Sequence, residues 1–231
     1  MTTGSLSVPA NTVSRLPIRG RLLAMGVLAA IGGVTFLPFL AAGNSQPIAQ
    51  LAPFAIVVTL VATIAAWPGL RCADATGLPM PLLRRLDGSS SSPIPGSAIG
   101  VTLASSIGLG LVGLLLLRLV EAPQLPGSIA ARALSAIFAA GPLEIVLHLG
   151  AMSIVVWLAH GRRAPGIAVA AALLVVFHLA GALDQPGRII ALSVVANGAI
   201  GLVLGWIYAA YGFEFVMLGH AVAHVITVVG G

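Results

Sequence analysis

A chain of 231 residues that is 58% hydrophobic and only 7% charged, with a mean hydropathy of +1.08, is too apolar for a soluble globular domain. Disorder is excluded by the same numbers, since disordered chains are polar. The net charge of +5 comes from 11 basic residues, all arginine, set mainly at the ends of apolar runs; that distribution excludes a nucleic-acid-binding face and fits orientation signals. At roughly 20 apolar residues per crossing, the composition predicts an all-α polytopic membrane helix bundle of about seven transmembrane helices, with the lipid bilayer as its first partner.

Residues 1–21 form a polar tail carrying Arg15, Arg19 and Arg21. The apolar run that follows, Leu22 to about Ala42, is too long for a signal-peptide core and lacks a small-residue cleavage site, so it reads as an uncleaved first span. A second span runs from about Leu51 to Trp67 and ends at Pro68-Gly69. Residues 71–97 are the one long loop, with Arg71, Arg84, Arg85 and the Ser89-Ser90-Ser91-Ser92-Pro93 stretch, and a short interfacial helix is expected at Met80 to Leu86. The third span, about Ala98 to Val120, completes an N-terminal region of three plain helices over residues 22–120.

The fourth span is long, roughly Ile129 to His160, and is expected to break at Gly141-Pro142, where proline removes a backbone donor. Arg162-Arg163 and Pro165 close it. A fifth span follows from about Gly166 to Leu183, a sixth from about Ile189 to Tyr211, and a short seventh from about Phe213 to Val229. With a cytoplasmic N-terminus the inside loops hold Arg15, Arg19, Arg21, Arg71, Arg84, Arg85, Arg162 and Arg163, leaving Arg118, Arg132 and Arg188 outside, a positive-inside bias. Arginine without lysine, together with abundant alanine, points to a GC-rich bacterial genome and hence to the bacterial cytoplasmic (inner) membrane. The single Cys72 excludes an intramolecular disulfide and is given no role.

An ionisable side chain at the centre of a membrane helix costs about 2.5–3.5 kcal/mol on insertion scales, so such groups mark function. Glu144, His148, His178, His220 and His224 all fall inside predicted spans, and the first 130 or so residues offer nothing comparable. Glu144 and His148 are four apart, as are His220 and His224, so each pair shares a helix face. His178 adds a third helix, and the set can converge on one point. Taken alone, His148 reads as a hydrogen-bonded packing residue. His160 reads as interfacial, Glu214 as a structural carboxylate at a helix N-terminus, and Asp184 and Arg188 as loop residues.

The stretches around these residues form three motifs on successive helices: Gly141-Pro142-Leu143-Glu144-Ile145-Val146-Leu147-His148-Leu149-Gly150, then Leu174-Val175-Val176-Phe177-His178, then His220-Ala221-Val222-Ala223-His224. They resemble those of the CPBP family, the CAAX-protease and bacteriocin-processing (Abi) intramembrane proteases related to type II CAAX prenyl endopeptidases, whose motifs are Glu-Glu-x-x-x-Arg, Phe-x-x-x-His and His-x-x-x-Asn. Gly201-Leu202-Val203-Leu204-Gly205-Trp206-Ile207-Tyr208, with Gly212 before His220, is similar to that family's approach to its last histidine. The resemblance covers residues 129–229. Placing Glu144 on the first glutamate puts Ile145 where the second belongs and Leu149 where the arginine belongs; a shift by one places Glu144 on the second glutamate and His148 on the arginine. Leu174 replaces the phenylalanine of the second motif and His224 the asparagine of the third.

The resemblance implies a four-helix catalytic core and an intramembrane endopeptidase, a hydrolase of membrane-associated peptide or protein substrates. Glu144 and His178 would activate water, His220 and His224 would lie near the oxyanion, and His148 would be an accessory. The family is often described as a metalloprotease, and a glutamate with three histidines also suits zinc on the same residues. No His-Glu-x-x-His helix is present, so the metal-free mechanism is the preferred expectation. Two other readings stay open: a catalytically impaired relative that binds a membrane partner, and a metal or proton transporter using the same histidines.

Overall fold

In the computed structural model, residues 18–44, 48–86, 88, 93–119, 128–179 and 185–230 are described. Among them all regular structure is helical: α1 Ile18–Asn44, α2 Ile48–Thr76, α3 Pro81–Leu86, α4 Gly96–Leu119, α5 Ile129–Glu144, a π-helix Ile145–Met152, α6 Ser153–Leu158, α7 Arg163–Leu179, α8 Gly187–Tyr211 and α9 Phe213–Gly230. Among the described residues six stretches are long and apolar enough to cross a membrane, with α5, the π-helix and α6 acting as one continuous span. The expected fifth span is α7, whose 17 residues are at the lower limit for a crossing helix. The chain is therefore an all-α polytopic bundle.

Several boundaries correct the sequence reading. The first helix begins at Ile18, inside the expected tail. The second does not stop at Pro68-Gly69 but continues to Thr76, so residues 71–76 of the expected loop are helical. Proline is tolerated inside membrane helices because neighbouring helices compensate the lost bond, and Gly69 lets α2 settle directly on the backbone of Leu149 and Gly150. The fourth span does not break at Gly141-Pro142 either. It stays helical, and three residues later its hydrogen bonding changes to the wider i→i+5 pattern of a π-helix. The short helix after α2 occupies Pro81–Leu86, close to its expected place. Arg163 and Pro165 open α7, where proline's missing N–H is harmless in a first turn. Arg15, the serines Ser89 to Ser92, Glu121 and Asp184 lie outside the described residues.

The fourth span is the centre of the bundle: 71% of its membrane-length window is buried, against 17–39% for the other spans. Small residues set the approach of the helices around it. Gly32 of α1 faces the Phe138 carbonyl and the Pro142 ring, Gly166 of α7 faces Met152 and Val156, and Gly201 and Gly205 of α8 face Ala171 and Ile167 of α7. Helices α4 and α9 run parallel, with Gly110 against Ala223 and Ile226 and Gly113 against Thr227. The tight α8–α9 turn uses Gly212 at φ 127, a backbone conformation open to glycine.

One end of the bundle is rich in arginine. Arg21 at the start of α1 donates to both oxygens of Asp74 near the end of α2, at 3.0 and 2.9 Å. Arg84 of α3 reaches the same carboxylate at 3.4 Å, and Arg163 donates to the Ala209 carbonyl at 2.5 Å. Glu214, at the start of α9, accepts from the Leu83 N–H at 2.6 Å and so anchors α3 to α9, a structural role. At the opposite end Arg118 donates to the Gly230 carbonyl at 2.8 Å.

Candidate active site

The central span and α9 bring four of the five singled-out residues into direct contact. Glu144 is the last residue of α5, and His148 lies one turn further on, in the π-helix; both are fully buried. His220 of α9 is 4% exposed and its Nδ1 meets Glu144 Oε1. A carboxylate only accepts, so His220 Nδ1–H is the donor in that bond. The other nitrogen of a neutral His220 is then an acceptor, and His224 Nε2–H donates to His220 Nε2 at 2.8 Å. The two rings stand edge-to-face, 4.4 Å between centroids and 77° apart. Helical spacing of four explains why both imidazoles share this face.

His148 Nδ1 lies in close contact with Glu144 Oε2. The contact is close without being aligned as a hydrogen bond, and neither nitrogen of the buried His148 makes one. The edge of its ring meets Tyr208 of α8, with 6.5 Å between centroids and 86° between planes. Tyr208 is fully buried and its hydroxyl pairs with Ser153 Oγ at 2.8 Å, while Ser153 Oγ also lies 3.3 Å from the His148 carbonyl oxygen. These two residues belong to the surroundings of the site; Ser153 is absent from the motifs, and Tyr208 enters them only as the end of the Gly201–Tyr208 stretch, with no role assigned.

His178 is in the last turn of α7 and is half-buried. It lies within electrostatic reach of Glu144, His220 and His224 but has no direct hydrogen bond with any of them. Its Nδ1–H donates to the Leu174 carbonyl at 2.9 Å, which leaves Nε2 as the basic nitrogen. Ile145 and Leu149, which stand at the departures from the first motif, are fully buried and apolar. His160 lies in the turn after α6 with φ 55, apart from the cluster.

Both Glu144 oxygens are engaged by imidazole nitrogens, and among the described residues no group of three or more His, Cys, Asp or Glu side chains is disposed to hold a metal ion. The arrangement offers a buried carboxylate, two imidazoles against it, a third hydrogen-bonded behind, and a fourth nearby with a free basic nitrogen. No protein-family model, curated protein or solved structure matches the chain.

Proposed function

We propose that the chain is an intramembrane peptidase of the kind its three motifs resemble, acting on a membrane-associated peptide or protein. The observation that carries this reading is the contact of Glu144, at the centre of the fourth span, with His148 and His220, extended by His224 and neighboured by His178. Hydrolysis needs a base for water and donors for the oxyanion. In this reading a water between Glu144 and His178 attacks the scissile carbonyl carbon. Its proton passes to the Glu144–His178 pair and then to the leaving amine. His220 and His224 lie near the oxyanion, with the His224 Nε2–H turning from His220 Nε2 to donate to it, and His148 holds the carboxylate in place. No step is routed through a metal. The N-terminus and the arginine-rich end are assigned to the cytoplasmic side of a bacterial inner membrane, on the distribution of arginines.

The test is proteolysis of membrane peptides by the purified protein, wild type against Glu144→Ala and His178→Ala. Activity lost in both folded variants and unaffected by chelators is the expected result. Loss on chelation with rescue by zinc would replace the mechanism, and unchanged turnover in the variants would trace the activity to a contaminant. A second reading, a membrane partner-binding protein without catalysis, draws on the full enclosure of Glu144 and on buried, apolar Ile145 and Leu149. It predicts no cleavage by the wild type and a cellular role that survives Glu144→Ala.

A further inference from the structure

Burial in this bundle is distributed unevenly along the membrane normal. The continuous core is made by Met25 and Ala29 of α1, Ala62 to Ala73 of α2, the stretch Ile145 to Val156, Ala170 of α7, Leu204 to Ala209 of α8 and Phe213 to Val216 of α9. All but Ala62, at the middle of α2, lie in the half of their span nearer the arginine-rich end; in the other half the buried side chains outside this core are mostly small, such as Ala55, Ala136 and Ala140. Directly beneath the Glu144–His220 contact, Leu149, Met152, Leu204, Ile207, Tyr208 and Phe213 are each at most 1% exposed. That layer closes the site to water from the arginine-rich side, since packed interiors leave few voids that hold a solvent molecule.

Beyond the cluster the packing changes. Among the described residues, α7 after the enclosed Leu174 (1% exposed), the first two turns of α8 and α9 from His224 onward contain no fully enclosed side chain. Exposure rises along the cluster itself: Glu144 and His148 are sealed, His220 nearly so, and His224 and His178 are half-buried. A further polar group lies in this half: Asn197 of α8, half-buried, donates to Ser193 Oγ and to its carbonyl at 3.1 and 2.9 Å. Its neighbour Gly198 faces Val175, which places Asn197 about one turn from the level of His178.

We propose that the site is reached only from the end of the bundle opposite the arginines, past Asn197, His178 and His224. Its substrate is then an extracytoplasmic segment of a membrane-anchored peptide rather than a cytoplasmic tail. The end of the bundle that gives access follows from the packing; the extracytoplasmic nature of the substrate rests on the peptidase reading and on the orientation assigned from the arginines. Water and the scissile bond arrive at the basic nitrogen of His178 first, and Glu144 forms the closed floor.

The sole cysteine makes the proposal testable. In a Cys72→Ser background, Asn197→Cys and His178→Cys report on the access path, and Arg85→Cys marks the exposed arginine-rich end. A membrane-impermeant maleimide is added to right-side-out spheroplasts and to inside-out vesicles. N197C and H178C are expected to react in the preparation where R85C does not. Reaction from the same side as R85C, or from neither side while R85C reacts, overturns the proposal. The N197C variant keeps the Glu–His cluster intact should H178C fail to fold. Labelling needs no turnover, so absent proteolysis would count against the peptidase reading without touching the access route, and a wrong labelling side would do the reverse.

Discussion

Ser153 has one hydroxyl proton and two partners, and their geometry orders the bonds between them. An amide carbonyl can only accept, so the proton facing the His148 oxygen belongs to Ser153, and Tyr208 donates its own to Ser153 Oγ. All three residues are fully buried. Ser153→Ala then strands the Tyr208 hydroxyl in an apolar interior, at a cost of about 1–3 kcal/mol. Tyr208→Phe removes the donor and leaves Ser153 still bonded to the carbonyl, so it costs less, about 0.5–1.5 kcal/mol. The double substitution should cost less than the sum, because the two share one bond. Unfolding of the three variants in detergent checks this, and a larger loss for Y208F than for S153A would reverse the donor assignment. Ser153 did not stand out in the sequence and Tyr208 did so only as the end of the Gly201–Tyr208 stretch, whereas Glu144, His148, His178, His220 and His224 did. An ionisable group in an apolar run announces itself by its cost, but the hydroxyls of serine and tyrosine are cheap enough to occur in any span.

At the scale of the helix, the segment that presents Glu144 and His148 depends on close backbone contact with α2. A Cβ on Gly69 would stand 3.0 Å from Gly150 Cα and closer still to the Leu149 carbonyl, with rigid main chain on both sides. Gly69→Ala therefore forces α2 off the π-helix, an overpacking penalty of about 1–3 kcal/mol, and shifts the two site residues with it. Gly141→Ala, three residues before Glu144, meets nothing nearer than Leu28 Cγ at 3.4 Å. There the gain in helix propensity, about 0.5–1 kcal/mol, leaves stability unchanged or raised. Thermal unfolding of the pair tests whether glycine is needed for contact at one site and merely present at the other; equal losses would sink the distinction. The π-helix itself was not legible. Hydropathy marks where a helix is, and Ile129–Leu158 was visible on that basis, but a change from i→i+4 to i→i+5 bonding has no compositional signature. Pro68 was misread as an end and Pro142 as a break for a related reason: what decides whether a proline interrupts a membrane helix is the neighbour packed against it, here the Leu149–Gly150 backbone and Gly32, and a single sequence does not say which segments meet.

For the molecule as a whole, the arginines, the core and the site lie in order along the membrane normal. Arg21, Arg84 and Arg163 hold one end together through Asp74 and the Ala209 carbonyl, the continuous apolar core fills the adjoining half, and the Glu–His cluster caps that core. This order ties the side on which the Glu–His cluster opens to the topology of the spans. Connectivity fixes the relation: α1 and α7 begin at the arginine-rich end and α8 returns to it, so Arg163 and Arg188 must lie on opposite faces if α7 crosses. Helix α7 is the shortest of the crossing helices, with 17 residues where every other span has at least 18. Truncations fused to a reporter that matures only in the cytoplasm should be active when joined after Arg163 and inactive after Arg188, and an alkaline phosphatase series should give the inverse. Like signals at both positions would make α7 re-entrant; His178 would then sit at a helix end within the bilayer, and α8 and α9 would each reverse direction relative to the first four spans.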